Sequence, residues 1–205
     1  MRARAVLAIA AIVVLLGLAW LLWSTLYRQR PQPASITSDR DANFLYGSIG
    51  NESDQGLPYW VAVVLPRVFG ERYLPGPGGY AALLQWDEGQ ELPVGFAKKR
   101  VGVDRVGFNC ALCHTPDHGM RKSDIKGLAE FFSKSASDAR FNADTILTEI
   151  DLAYRLSVVD RLVYRYVLIP ASRERLLALG RQLTSPHAAG GWPRSTPSTP
   201  FPAGH

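Results

Sequence analysis

A long apolar run dominates the N-terminal end of the chain. No charged residue lies between Ala5 and Tyr27, and the segment AVLAIAAIVVLLGLAWLLW is almost wholly aliphatic and aromatic. As a helix this run would measure about 34 Å, which is enough to cross a hydrocarbon core of about 30 Å. A cleaved signal peptide is the alternative, but its apolar stretch is typically about 7–15 residues and a small-x-small cleavage site follows it. Because Trp20, Trp23 and Tyr27 also gather at one end like an interfacial belt, we predict an uncleaved transmembrane anchor within residues 1–30.

The polarity pattern beyond this anchor predicts a linker followed by one domain. Residues 31–43 are polar and contain proline, which favours a linker, whereas residues 44–185 have the length of a single domain. Residues 57–69 are apolar and predict a short helix that bends or stops near Pro66. Residues 92–108 contain one proline and three glycines, so we expect an extended loop there with one short strand at most.

Apolar residues spaced three or four positions apart predict helices in the C-terminal half. Asn142 is placed to cap the first, residues 157–169 repeat the pattern until Pro170, and a third helix is expected over about 172–183. The tail, residues 186–205, is rich in proline, serine, threonine and glycine, which predicts disorder. The fold class predicted from these patterns is mainly α.

The pentapeptide Cys110-Ala111-Leu112-Cys113-His114 contains every cysteine of the chain. Covalent haem attachment needs two thiols three positions apart, each of which forms a thioether with a vinyl group, and a following histidine that bonds the iron. The motif therefore predicts one haem c per chain, with Cys110 and Cys113 as attachment sites and His114 as the proximal iron ligand. Together with the helices downstream, it favours a cytochrome c-like helical domain with long loops.

Haem is attached to such motifs outside the cytoplasm, and this sets the orientation that we expect. Two arginines flank each end of the apolar run: Arg2 and Arg4 before it, Arg28 and Arg30 after it. The rule that positively charged flanks stay in the cytoplasm therefore does not decide the orientation. We predict a single-pass protein of a bacterial inner membrane with its soluble domain in the periplasm. Without those arginines the net charge of +5 falls to about +1, and no basic stripe with interleaved aromatic residues is present, so nucleic acid is not an expected partner.

The second axial position of the iron decides between electron transfer and chemistry on oxygen or peroxide. Met120 lies six residues beyond His114, which is a short tether for a ligand on the opposite haem face. His118 would share the proximal face of a helix with His114, and His187 follows the last predicted helix. These three residues stay open as ligands, although we favour the absence of a distal ligand within this chain.

Several other residues have an ordinary interpretation beside a functional one. Residues 98–100, Lys-Lys-Arg, are either a solvated turn or a docking patch for an acidic redox partner in the periplasm or membrane. Arg121 and Lys122 are either exposed or paired with haem propionates. An acidic cluster receives no catalytic role: Asp87, Glu88 and Glu91. The aromatic residues that precede the motif are either core or the lining of a haem pocket: Trp60, Tyr80, Trp86, Phe96 and Phe108.

The cysteines also allow interpretations without haem. A thioredoxin-like dithiol requires C-x-x-C at the start of a helix in a βαβ setting, which the glycine-rich lead-in does not supply. Zinc would use Cys110, Cys113 and His118, but a fourth ligand is not evident. Covalent haem is therefore the favoured interpretation of the motif.

Three stretches of the chain resemble a known family: YGSIGNESDQGLPYWVAVVLPRVF, YLPGPGGYAAL and LPVGFAKKRVGVDRVGFNCALCHT. Over roughly residues 44–180 the chain is similar to the N-terminal half of large bacterial membrane-anchored di-haem c-type cytochromes, which are akin to the haem-containing rubber oxygenase and, more distantly, to di-haem cytochrome c peroxidases. The resemblance implies that Cys110 and Cys113 hold the first haem and that His114 is its proximal ligand. Such relatives are longer and carry a second C-x-x-C-H, which this sequence lacks, so we expect a truncated or frame-shifted product.

Two classes of haem function follow from these features. A membrane-anchored cytochrome that transfers electrons through a single haem fits every feature and is favoured. The alternative is a haem-dependent peroxidase or oxygenase fragment that uses an open iron position. In a chain this short, the second class requires a missing partner domain, so the sequence leaves enzymatic activity open.

Overall fold

The described part of the chain, residues 2–114 and 124–184 of the computed structural model, is mainly helical. The α-helices are α1 (Arg2–Tyr27), α2 (Ala34–Thr37), α3 (Arg40–Tyr46), α4 (Tyr59–Tyr73), α5 (Ala111–His114), α6 (Ile125–Ser137), α7 (Ala143–Ala153), α8 (Val158–Val163) and α9 (Ile169–Thr184). The strands are β1 (Gln29–Arg30), β2 (Leu57–Pro58), β3 (Phe96–Val101) and β4 (Val103–Phe108). They form an antiparallel sheet in the order β1-β3-β4-β2. The mainly α prediction is confirmed, and the sheet adds to it.

The segment before the cysteines is more regular than its sequence predicts. β3 and β4 pair along their whole length, from Phe96 opposite Phe108 to Val101 opposite Val103. Gly102 makes the turn between them with φ of +72°, a conformation that glycine adopts at little cost. The expectation of a loop with one short strand at most is therefore wrong, because a glycine that suggested a loop supplies the turn of a hairpin.

Helix α1 is long and apolar enough to span a membrane. Its span, Arg4–Ser24, has a mean hydropathy of 2.9, and none of it is buried within the structure. Trp20 and Trp23 are 66% and 59% exposed, as expected of side chains that face lipid. A signal sequence would satisfy the same criteria of length and composition.

The sheet begins directly after α1. The Gly102 N–H donates to the Arg28 carbonyl at 2.7 Å, and β1 pairs with β3. Residues 31–43, predicted as a linker, contain α2 and the start of α3. The Gln32 side chain donates to the Lys98 carbonyl at 2.8 Å and accepts from the Ser48 N–H at 2.7 Å. This segment is therefore hydrogen-bonded to the domain that follows it.

Helix α4 passes through Pro66 instead of stopping there. Proline has no N–H, so the carbonyl four residues earlier, that of Ala62, loses its helical donor. The Tyr80 hydroxyl donates to this carbonyl at 2.8 Å. Gly79, at φ of +63°, lies so close that a Cβ there would meet the Pro66 side chain at 3.2 Å. Of the predicted bend or stop near Pro66, the stop is wrong, because a side chain from the 3₁₀ turn Gly79–Ala82 replaces the missing donor.

The C-terminal helices follow the predicted pattern up to Pro170. The Asn142 side chain caps α7 by accepting from the Thr145 N–H at 3.0 Å, which confirms the predicted start. After α8, a π-helical turn spans Tyr164–Leu168, and the Ile169 N–H bonds the Tyr164 carbonyl five residues back. Helix α9 begins at Ile169 and includes Pro170, so the predicted end at that proline is wrong. The π-helical turn therefore ends just before Pro170, the residue that has no N–H to donate.

The hydrophobic core lies between the helices and the hairpin. Helix α6 packs against α9, and Gly180 permits a close approach, since a Cβ there would lie 2.1 Å from Ser133 Oγ. Phe131, Phe132 and Leu176 are fully buried at this contact. The third predicted helix lies within α9 and is confirmed.

Removal of the Tyr80 hydroxyl tests its role as the donor that Pro66 lacks. We expect Tyr80→Phe to lower the free energy of unfolding by about 1–3 kcal/mol, because a buried carbonyl is left without a partner. Urea unfolding of the detergent-solubilised chain measures this loss. In a Pro66→Ala background, which restores the N–H, the loss should be smaller. Tyr166→Phe is the control, because that side chain is 71% exposed. If Tyr80→Phe cost the same free energy with Pro66 in place as in the Pro66→Ala background, the assignment of the Tyr80 hydroxyl would be contradicted.

Candidate functional site

The C-x-x-C-H pentapeptide forms one short turn with two different faces. The His114 N–H donates to the Cys110 carbonyl at 3.0 Å, which closes the turn. Ala111 and Leu112, the two residues between the cysteines, are 0% and 2% exposed. Cys110, Cys113 and His114 are all exposed. The turn therefore exposes the two thiols and the imidazole and buries the two apolar side chains between the cysteines.

Asn109 fixes the start of this turn. Its Oδ1 accepts from the Ala111 N–H at 3.0 Å, as in an N-terminal helix cap. Its Nδ2 donates to the Gly47 carbonyl at 3.0 Å and to the Leu45 carbonyl at 3.2 Å. Because Asn109 is only 6% exposed, these bonds tie the turn to the end of α3.

Gly95 packs directly against the same turn. Its φ is +87°, and a Cβ at this position would lie 2.4–2.6 Å from the backbone N, Cα and Cβ of Leu112. The Asn109 N–H donates to the Gly95 carbonyl at 2.9 Å. Only glycine combines this φ with so close an approach. The PVGF segment thus contacts the cysteine-bearing turn directly.

Two polar residues, the buried Glu52 and the half-buried Asn51, lie beside the strand that leads to the motif. Glu52 is 0% exposed and accepts from Ser48 Oγ at 2.6 Å, while the Asn51 amide donates to the Phe108 carbonyl at 2.8 Å. In the described part of the chain, Asn51 Oδ1 and Glu52 Oε1 have no hydrogen-bond partner. Both oxygens border Gly107, where a Cβ would meet them at 2.3 and 3.1 Å. Sequence analysis missed this pair, because the polar segment SIGNES carries no signal of burial.

The aromatic residues proposed for a haem pocket separate into two groups. Tyr80, Phe96 and Phe108 meet in the core, with ring centroids 5.4 Å apart for the first two and 4.8 Å apart for the last two. Leu112 belongs to the same core cluster. These three rings therefore lie on the buried side of the motif turn, in agreement with the interpretation that they are ordinary core.

The other two aromatic residues lie at the edge of this core. Trp60 packs against the core cluster and stacks on Tyr154 with centroids 4.7 Å apart. Trp86 is 38% exposed and donates from its indole N–H to the Gln90 carbonyl at 2.9 Å. It lines a surface cavity together with Tyr80.

The setting of the cysteines differs from that of a redox-active dithiol. Partial desolvation raises the pKa of the Cys113 thiol above its usual value, and the neighbouring Cys110 thiol adds to the rise. The strand before the motif belongs to an antiparallel hairpin, which differs from the βαβ setting of thioredoxin-like proteins.

The zinc interpretation of the cysteines depends on a residue outside the described ranges. Across residues 2–114 and 124–184, no group of three or more histidine, cysteine, aspartate or glutamate side chains is arranged to hold a metal ion. His118, required by the zinc interpretation, lies outside those ranges, as do the other candidates Met120, Arg121, Lys122 and His187.

The predicted charged clusters have structural partners. The basic run lies on β3 and not on a turn. Lys98 pairs with Glu91 and lies 4.5 Å from the centre of the Tyr59 ring, and Arg100 pairs with Asp104 at 3.4 Å. In the acidic cluster, Asp87 accepts from the Tyr46 hydroxyl at 2.6 Å.

Comparisons with known proteins return no relative of this chain. No family model, no curated protein and no solved structure matches it. The resemblance over residues 44–180 therefore stays a prediction. The motif and the geometry of its turn carry the functional interpretation.

The contact of Gly95 with the motif turn is open to a matched test. We expect Gly95→Ala to cost about 3 kcal/mol of unfolding free energy, because it combines a strained φ with a clash against Leu112. Gly89→Ala is the control, since Gly89 has φ of +79° but nothing within 4 Å of its Cβ position. That control should cost about 1 kcal/mol. Equal losses in urea unfolding of the two variants would show that the contact is unimportant.

Proposed function

We propose that the chain is a membrane-anchored periplasmic c-type cytochrome that binds one haem covalently and transfers electrons. The observation that carries this proposal is the division of the pentapeptide: both thiols and the imidazole are exposed, whereas Ala111 and Leu112 are buried. A porphyrin must reach all three exposed groups from the same side. Unpaired, accessible cysteines are also what thioether formation requires.

The residues present fit the chemistry of a covalent haem. Cys110 and Cys113 would form the two thioethers, and His114 would provide one axial nitrogen. A bound haem would supply an iron centre for one-electron transfer. The chain's own contribution is position, because Asn109 and Gly95 both hold the turn through the contacts described above.

The proposed location joins the anchor to the site of haem attachment. Helix α1 would span a bacterial inner membrane once, with its N-terminus in the cytoplasm. The turn of the hairpin lies beside the end of this helix, through the bond from Gly102 to Arg28. The six residues of β4 then span about 20 Å towards the motif. The redox partner would meet the domain in the periplasm or the membrane.

One observation favours a second candidate function. This is a haem-dependent peroxidase or oxygenase with an open iron position. Among the described residues, His114 is the only histidine and no methionine is present. A distal histidine or methionine from this chain would therefore have to come from residues 115–123 or 185–205. An iron without such a ligand would be accessible to oxygen or peroxide.

The mass of the purified chain tests covalent haem. After expression together with haem-ligation machinery, we expect the intact mass to exceed that of the polypeptide by one haem. The denatured band should also stain for peroxidase activity in a gel. The double variant Cys110→Ala, Cys113→Ala should lose both signals. A wild-type mass equal to that of the polypeptide alone would refute the proposal and favour a function of the cysteines without haem.

The spectrum of the reduced protein separates electron transfer from catalysis. For an electron carrier we expect a low-spin spectrum that carbon monoxide does not change, because both axial positions are filled. A high-spin iron that binds carbon monoxide would instead support the peroxidase or oxygenase. The variants His118→Ala, Met120→Ala and His187→Ala then show whether a distal ligand comes from this chain.

A further inference from the structure

We propose that the region around α8 docks on the outer surface of the membrane that α1 spans, with adjacent arginines binding anionic phospholipid headgroups. The inference rests on the proposed anchoring of the chain by α1. It adds a second contact with the membrane, made by the soluble domain itself.

The first observation is a cationic cavity at the end of α1. Its volume is about 170 Å³, and it is lined by Ser24, Arg28, Arg30, Arg100, Gly102, Val103 and Asp160. Arg100 is paired with Asp104 at 3.4 Å. Within the described part of the chain, the guanidinium groups of Arg28 and Arg30 make neither an ion pair nor a hydrogen bond. The only carboxylate in the lining, Asp160, already accepts from Ser157 Oγ at 2.7 Å. Positive charge therefore prevails in the cavity and is available to an anion.

The second observation is the depth at which this cavity lies. Ser24 is both the last residue of the apolar span and part of the cavity lining. The Arg28 carbonyl is bonded to Gly102 at the hairpin turn. If α1 spans a bilayer, these residues lie where hydrocarbon gives way to headgroups. Arginines at this depth favour phosphate groups of the lipid, and anionic lipids most.

The third observation is an exposed apolar stripe on the element that borders the cavity. Val158, Leu162 and Tyr166 follow one another at intervals of four residues and are 77%, 51% and 71% exposed. Val159 beside them is 50% exposed. Asp160, on the same helix, lines the cavity, so α8 borders the end of α1 and carries the stripe on its other face. Apolar side chains and a tyrosine next to basic groups are typical of a segment that lies in the membrane interface.

A bilayer fits these features together better than a second copy of the chain does. A second copy would explain the apolar stripe, but the arginines beside it lie at the end of α1, where the headgroups of a spanned bilayer already surround the helix. The membrane supplies both an apolar layer and phosphate groups at the depth set by α1.

Hydroxyl-radical footprinting of the full chain in lipid nanodiscs tests the docking. The measured quantity is the oxidation rate of Val158, Leu162 and Tyr166, divided by that of Trp86, which is 38% exposed near the opposite end of the hairpin. In discs that contain anionic lipid, we expect this ratio to be at least about threefold lower for the wild type than for the variant Arg28→Gln, Arg30→Gln, Arg100→Gln.

A charge-matched control removes three other cations of the exposed surface: Arg67→Gln, Arg72→Gln and Lys126→Gln. This variant should retain the wild-type ratio. Low oxidation of the buried Phe131 should show in each case that the domain is folded. Equal oxidation ratios in the wild type and in the triple variant of Arg28, Arg30 and Arg100 would overturn the docking. If the chain still resisted alkaline carbonate extraction, the anchor would stand.

Three further outcomes distinguish other causes. Protection that depends on the number of chains per disc, and not on lipid charge, would indicate a second copy and overturn the proposal. If inorganic phosphate protected these residues in zwitterionic discs as well as anionic lipid does, lipid would not be the source of the anion, and the proposal would be overturned. Extraction of the chain by carbonate would refute the anchor itself, and the mass measurement would still report separately on covalent haem.

Discussion

The contact between the bare backbone of Gly95 and the turn that carries the cysteines is the constraint on which the candidate site depends. Leu112 lies so close to Gly95 that no side chain fits between them. Ala111 packs with Tyr46 and Val94, while Leu112 enters the main core. Once these two residues are buried, Cys110, Cys113 and His114 are left at the surface. The accessibility of the thiols is therefore a consequence of packing on the far side of the turn.

The antiparallel sheet connects this turn to the N-terminal helix. Strand β1 leaves α1 and pairs with β3, β3 pairs with β4, and β4 leads to Asn109 and the motif. Backbone hydrogen bonds thus run from the end of the proposed anchor to the proposed haem site. A domain attached in this way differs from one that swings on a polar linker, because the hairpin turn is fixed beside Arg28. The proposed contact of the α8 region with lipid would restrain the domain further.

The sequence predicts elements well where the deciding interaction is local. The apolar run of α1 and the cap at Asn142 each depend on residues a few positions apart, and the structure contains both helices as expected. Pro66 and Pro170 each suggest the end of a helix, yet a helix includes each of them, for reasons that local patterns do not show. At Pro66 the donor is the hydroxyl of Tyr80, from the separate 3₁₀ turn Gly79–Ala82. At Pro170 a π-helical turn precedes the proline.

From the sequence alone come the apolar helix, the mainly α character and the chemistry of the pentapeptide, because composition, periodicity and covalent spacing are properties of neighbouring residues. The tertiary structure alone decides which face of that pentapeptide is exposed. It also decides that a glycine-rich lead-in forms a hairpin and that Glu52 is buried behind Gly107. These outcomes depend on contacts between residues far apart in the chain, whose free energies no local pattern encodes.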